Sequence, residues 1–432
     1  MLFYFTLYGM KLWLLPLLVF CIRPGSIYAQ EDSVPAIKSA IKANRIITYH
    51  NIINNSIIKN LSFSLSDSTE ENWQDAFYSI ELVRYRSRWA DRKVKEAIES
   101  ADIRSVSFQR ALLELLYANY LKVFIKEVKG LLYKVKGVKN EAMCIGYLKA
   151  SGVMIDNKMI HAIIPINEKD SVILQQLRYH IKNKNERPGR DRLAAIFKKS
   201  FLPGNTLLIS IQRKDRNYPG IALVRDKEGN FAHDAKGNIL FVAQLARSIS
   251  NLPGYISYGN TPQGIFRMNG FDISKSLAIG PTTNIQLMMP YETSIQYFLK
   301  DSTITDPVWT EELYKRLLPG KLQSYLPLFE TYYASKAGRT EIIAHGTTID
   351  PAWYKGQPYY PNTPTVGCLC AGEIWSEQDG RRIKSDQQRL VDILKTTGGA
   401  DGYCIVIEID DSTKPVSIEE IIPYLELSSK VK

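Results

Sequence analysis

Cys368 stands in the run Thr365-Val366-Gly367-Cys368-Leu369-Cys370, a setting that suits a nucleophile. A glycine ahead of a reactive side chain lets the backbone bend sharply and leaves neighbouring N–H groups free to face an oxyanion. A thiol attacks as thiolate, so it needs a base or a cation close by. His345 is the natural partner. It ends the strand-like run Thr340-Glu341-Ile342-Ile343-Ala344 and is followed by Gly346-Thr347, which places an imidazole at a rim rather than within a sheet. His233 competes within the same region but sits in a turn. His50, His161 and His180 are scattered through the preceding residues and take no role.

The remaining cysteines allow other readings. Cys144, in Ala142-Met143-Cys144-Ile145, reads as a buried, inert thiol. So few cysteines in so long a chain do not make a disulfide scaffold. A Cys370–Cys404 bridge could brace the site and leave Cys368 free, whereas a Cys368–Cys370 bridge would be strained at that spacing. Zinc held by His345, Cys368, Cys370 and Cys404 is a poor reading, because Cys-x-Cys replaces the usual Cys-x-x-Cys. Neither a P-loop nor a dinucleotide-binding glycine pattern is present, and no metal or organic cofactor is implied.

The elements that must position these residues change character along the chain. Residues 30–200 read as helical. Leu112, Leu116, Tyr120, Phe124, Val128 and Leu132 recur at four-residue steps and predict one long helix over 108–132. Asp67 and Ser68 before Glu70 and Glu71 resemble a capped start for an apolar stripe of Trp73, Phe77 and Ile80. Helices are also expected over 140–150 and 171–182, with no fixed repeat period. The charged stretch 183–192, broken by Pro188-Gly189, reads as a linker. Strands are expected over 207–211, 221–225 and 239–245, joined by the turns Asp226-Lys227-Glu228-Gly229 and Asp234-Ala235-Lys236-Gly237. A helical insertion over 286–338 precedes strands at 340–345 and 402–409. A helix over 385–397, capped by Ser385 and stopped by Gly398-Gly399, lies between those strands.

The first residues have a separate purpose. Met10-Lys11, an apolar run over 12–21 and the ending Ile27-Tyr28-Ala29 read as a secretory leader, 1–29, cleaved after Ala29. An uncleaved anchor is the alternative. No later segment reads as a membrane span. The formal net charge is +11, and Lys11 and Arg23 of the leader contribute only two of it. An exported basic chain is drawn to envelope polyanions, and export argues against nucleic acid as the partner.

Three motifs in order carry a resemblance. Thr261-Pro262-Gln263-Gly264 leads into Ile265-Phe266, then follow Ala344-His345-Gly346-Thr347 and Thr365-Val366-Gly367-Cys368. Over about residues 205–410 the chain resembles the L,D-transpeptidase (YkuD-type) catalytic domain. Taken with the helical reading of the residues before it, the resemblance makes this an α+β protein: a helical N-terminal region 30–200, a β-rich catalytic domain 201–411 with a helical insertion, and a tail 412–432. It further implies Cys368 as nucleophile, His345 as base, and Thr365 as support for the histidine or substrate. Backbone N–H groups around Gly367 and Cys368 would form the oxyanion hole, with Gly346 alongside. The partners implied are peptidoglycan stem peptides, donor and acceptor, in cell-wall biogenesis in the periplasm or envelope. Hydrolysis on the same scaffold, as a carboxypeptidase or endopeptidase, and a catalytically inactive wall-binding protein are the alternatives.

The chain departs from the family at Cys370, where arginine or asparagine is usual. Arg381, Arg382 or Lys384 are candidates to compensate, and Thr347, Arg381 and Tyr360 are the candidate substrate-binding residues. The loop holding Trp353, Tyr354, Tyr359 and Tyr360 is expected either as a lid over substrate or as a self-packed surface loop.

Overall fold

The computed structural model describes residues 34–183 and 186–430, so the leader 1–29 lies outside the described residues. Its first part is helical, as the apolar periodicity requires. Helix Glu70–Val83 is entered through a turn at Asp67–Thr69 that Ser66 caps, and it buries Trp73, Phe77 and Ile80. Helices Val138–Ala150 and Glu168–Lys182 lie where expected, each starting two or three residues early.

The long helix over 108–132 is two helices, Val106–Asn119 and Ile125–Leu131. The Tyr147 hydroxyl donates to Tyr120 O at 2.6 Å and accepts from Phe124 N at 2.9 Å, while Ser151 Oγ accepts from Lys122 N at 3.0 Å. These bonds satisfy the backbone groups that the break frees. All six residues of the expected stripe remain buried, because both short helices turn it inward. The stretch read as a linker contains the start of helix Gly189–Phe197, whose charged first turn is exposed and whose Leu193, Ile196 and Phe197 are buried.

Eight strands close a barrel. They are β1 (Thr206–Gln212), β2 (Gly220–Arg225), β3 (Phe241–Leu245), β4 (Gly264–Asp272), β5 (Asn284–Met288), β6 (Ile343–His345), β7 (Leu369–Ala371) and β10 (Gly402–Glu408). A separate hairpin comprises β8 (Glu373–Trp375) and β9 (Arg382–Ser385). Around the barrel the order is β1-β10-β4-β5-β6-β7-β3-β2, with β1–β10 and β6–β7 parallel and the other pairs antiparallel. Alternation sorts the side chains of each strand. Leu208, Val224, Val242, Phe266, Ile285, Ala344, Leu369 and Val406 form the inner cluster, and Leu390, Val391, Ile393 and Leu394 of helix Asp386–Thr396 join it. Leu207, Ile209, Ile265 and Ile405 face outward into a second cluster shared with the N-terminal helices. Strands buried on both faces explain the continuous apolar runs of β1 and β10.

Between β5 and β6 the insertion holds helices Ile295–Leu299, Glu311–Lys315 and Glu330–Lys336, and buries Trp309, Leu313, Leu317 and Leu318 in that same outer cluster. Residues 286–288, expected as helix, belong to β5. Helix Ile418–Lys430 occupies most of the segment read as a tail. It is tied to β1's end by the fully buried Arg213 guanidinium, which bonds Asp410 at 2.8 Å and Glu420 at 2.7 Å.

Candidate active site

The site forms where β6 and β7 run side by side. Ala344 pairs with Leu369 and His345 with Cys370. Ala344 and Leu369 belong to the inner cluster, so alternation puts His345 and Cys370 on the outside of the barrel. One step back along the register, Cys368 falls opposite Ile343, diagonal to His345.

The turn before β7 is held from within and from below. The Thr365 hydroxyl accepts from Gly367 N at 3.0 Å and donates to Cys368 O at 2.9 Å. The Thr261 hydroxyl donates to Gly367 O at 2.9 Å, which links the Thr-Pro-x-Gly turn to the cysteine turn. Gly367 has φ +123°, a conformation that favours glycine. Arg339, 3% exposed, donates from Nη1 to the carbonyls of Gly254 and Asn260, and from Nη2 to that of Gly259 at 2.7 Å. Thr365 therefore supports the cysteine turn, and its bonds do not reach His345. The Gly367 N–H, expected in the oxyanion hole, is occupied by Thr365 in this conformation.

Burial raises the Cys368 thiol pKa, the Ile343 N–H and the Arg339 guanidinium pull it back, and Glu341 pushes it up. Its Sγ lies 3.8 Å from Glu341 O. Burial lowers the His345 imidazole to about 4. Its Nδ1 bonds Gly346 O, and since a carbonyl only accepts, Nδ1 carries the hydrogen and Nε2 the lone pair. The two side chains thus rest as neutral thiol and neutral imidazole on neighbouring strands, with no hydrogen bond between them. Such a pair can deliver a thiolate when the proton passes to Nε2 as the sulfur attacks.

Gly346 and Thr347 belong to a buried network around Glu373. Glu373 Oε2 accepts from Thr347 N at 2.9 Å, and Oε1 accepts from the Thr282 and Ser385 hydroxyls, each at 2.6 Å. A Cβ on Gly346 would stand 2.3 Å from Glu373. Thr347, 5% exposed, accepts from Thr363 Oγ1 at 3.0 Å, and Thr363 lies 4.0 Å from Cys370 Sγ. Burial pushes the Cys370 thiol up to about 12.

The expected compensators have partners of their own. Arg381 pairs with Asp379 in the β8–β9 turn, Lys384 with Asp386, and Arg382 bonds the Thr282 hydroxyl at 3.0 Å, behind Glu373. The Tyr354 and Tyr359 rings meet at 5.7 Å and are buried against Leu245, with Arg247 stacked 4.6 Å over the Tyr359 ring, so this part of the loop packs on itself and on the end of β3. Tyr360 is exposed and remains available to a ligand.

Cys144, Cys368, Cys370 and Cys404 are free thiols. Cys404 faces the inner cluster while Cys370 faces outward, so the Cys370–Cys404 bridge and the four-ligand zinc set are not formed. Among the described residues no three His, Cys, Asp or Glu gather as a metal site. Sequence reasoning missed Arg339 and Glu373. Arg339 follows Ala337-Gly338 with nothing to distinguish it from a surface arginine, and Glu373 carried no signal at all. Compared with family models, with curated proteins and with solved structures, the chain matches none.

Proposed function

We propose that this chain is a peptidoglycan L,D-transpeptidase, an acyltransferase working in the periplasm or cell envelope. The observation that carries the reading is the Gly367-Cys368 turn, braced by Thr365 and seated on Arg339, beside a neutral histidine on the adjacent parallel strand. In the proposed reaction His345 Nε2 takes the Cys368 proton as Sγ attacks the carbonyl of the third residue of a stem tetrapeptide. The C–N bond to the terminal D-alanine breaks, the leaving amine takes the proton from His345, and a thioester remains. The side-chain amine of a second stem attacks the thioester carbonyl and loses a proton to His345, the C–S bond breaks, and the departing sulfur takes that proton back as the thiol. The product joins the third residues of two stems, with no redox step and no cofactor. Among the described residues no helix is long and apolar enough to cross a membrane.

The test is incubation of the mature chain and its Cys368→Ala variant with disaccharide-tetrapeptide muropeptides, read by mass spectrometry. A crosslinked dimer that requires Cys368 supports the proposal. Loss of D-alanine without dimer makes the protein a hydrolase, and absence of any Cys368-dependent product sinks both and favours a wall-binding role.

A further inference from the structure

A cavity of about 260 Å³ lies between the helical part and the turn that carries the nucleophile. Helix Glu70–Val83 contributes Tyr78 and Glu81 to its wall, and helix Val106–Asn119 contributes Glu114. Tyr258 closes one side, and Thr365 and Val366, three and two residues before Cys368, close another. Its size suits a small group rather than a large ligand.

The two carboxylates are not equivalent. Glu114 Oε1 is 2.9 Å from Arg110 Nε, and Arg110 itself stacks 4.7 Å over the Tyr258 ring. Glu81 is 6% exposed and lines the cavity, yet its carboxyl group has no hydrogen-bond or ion-pair partner among the described residues. Burial and the like charge of Glu114 both act against its ionisation. The group therefore rests as the neutral acid, and its ionised form calls for a cation in the cavity, the space Glu81 lines. A divalent metal is a poor occupant, since no third ligating group stands with the two glutamates. An ammonium needs only one carboxylate, an aromatic face and room for its carbon stem.

We propose that this cavity binds the ammonium group of a primary amine on an unbranched aliphatic stem, with Glu81 as its counter-ion. Under the function proposed above this is the waiting place of the acceptor amine. That assignment rests on the transpeptidase reading, whereas amine binding itself does not.

The test uses the mature chain carrying Cys368→Ala, so that no thioester chemistry intervenes. n-Pentylamine and 1-pentanol are titrated by ligand-observed NMR. Pentylamine is expected to bind saturably and at least tenfold tighter than pentanol. Glu81→Gln should weaken it at least tenfold with an unchanged near-ultraviolet circular dichroism spectrum, and Glu81→Asp should recover part of the loss. Equal affinity for amine and alcohol, or amine affinity indifferent to Glu81→Gln, overturns the inference. So does absence of binding by a chain whose spectrum is native. Because the readout is binding, loss of the transpeptidase reading leaves this result intact, and the converse also holds.

Discussion

Arg339 lies directly beneath Gly367: a Cβ on residue 367 would stand 2.3 Å from Nη2 and 2.6 Å from Gly259 O. The turn that presents Cys368 is therefore seated on a buried cation that also gathers the carbonyls of the 254–260 loop. Gly367→Ala must displace that seat and adopt a positive φ, which alone costs about 1–2 kcal/mol. The expected result is a lower Tm and a loss of Cys368-dependent product larger than the loss of stability explains. Unchanged activity in Gly367→Ala would show that the seat is not needed.

Arg339 also acts on the thiol, since its charge lowers the Cys368 pKa against burial. Arg339→Met should move the pH profile of Cys368 alkylation upward. It also leaves several buried carbonyls unpaired, each costing about 1–3 kcal/mol, so the comparison belongs at low temperature on chains shown to be folded. Arg339→Lys keeps the charge without the fork and should fall between. An alkylation profile in Arg339→Met that matches the parent contradicts the electrostatic role.

His345 makes stability depend on pH. Its folded pKa is about 4 against 6.5 for the free imidazole. Above pH 6.5 the group is neutral in both states and contributes nothing. As pH falls from 6.5 to about 4 the unfolded chain binds a proton that the folded chain refuses, so stability drops, by about 3 kcal/mol at most. Urea unfolding across this window should show the slope in the parent and a flatter one in His345→Gln. Identical slopes would place the titration elsewhere.

Cys368 and Cys370 should separate under chemical labelling. Both are buried, but the Ile343 N–H and Arg339 temper the rise at Cys368, whereas Cys370 is pushed up to about 12. Iodoacetamide on the native chain is expected to modify Cys368 first, and Cys370 only on unfolding. Cys370→Ala should retain most activity, while Cys368→Ala should abolish it and His345→Gln reduce it about 10²–10⁴-fold. Peptide mapping that found Cys370 labelled first would reverse the assignment of the nucleophile.

What the sequence revealed follows from which signals are local. The turn chemistry of Asp226 and Asp234, the Ser385 cap and the apolar runs of β1, β2 and β10 are written in adjacent residues, and the structure has them. β7 is only three residues long and exists because β6 and β3 flank it, so no run of residues 369–371 announces it. The break at Tyr120 depends on Tyr147, across a helix pair, and Glu373 matters through Thr282, Thr347 and Ser385, which the chain brings together from far apart. The residues of the proposed site carry local signatures, but the ones that hold them in place do not.

The parallel pairing of β1 with β10 sets an order of events during synthesis. The strand that opens the barrel at Thr206 must wait for one that begins at Gly402 before its edge is covered, and β4 waits on the other side of the same strand. Until then a nascent or truncated chain carries two open edges of largely apolar residues, each able to pair with another chain. A stop before residue 402 therefore does more than shorten the protein. It leaves the wall open along β1 and β4, where each edge's unpaired backbone groups are a template for pairing.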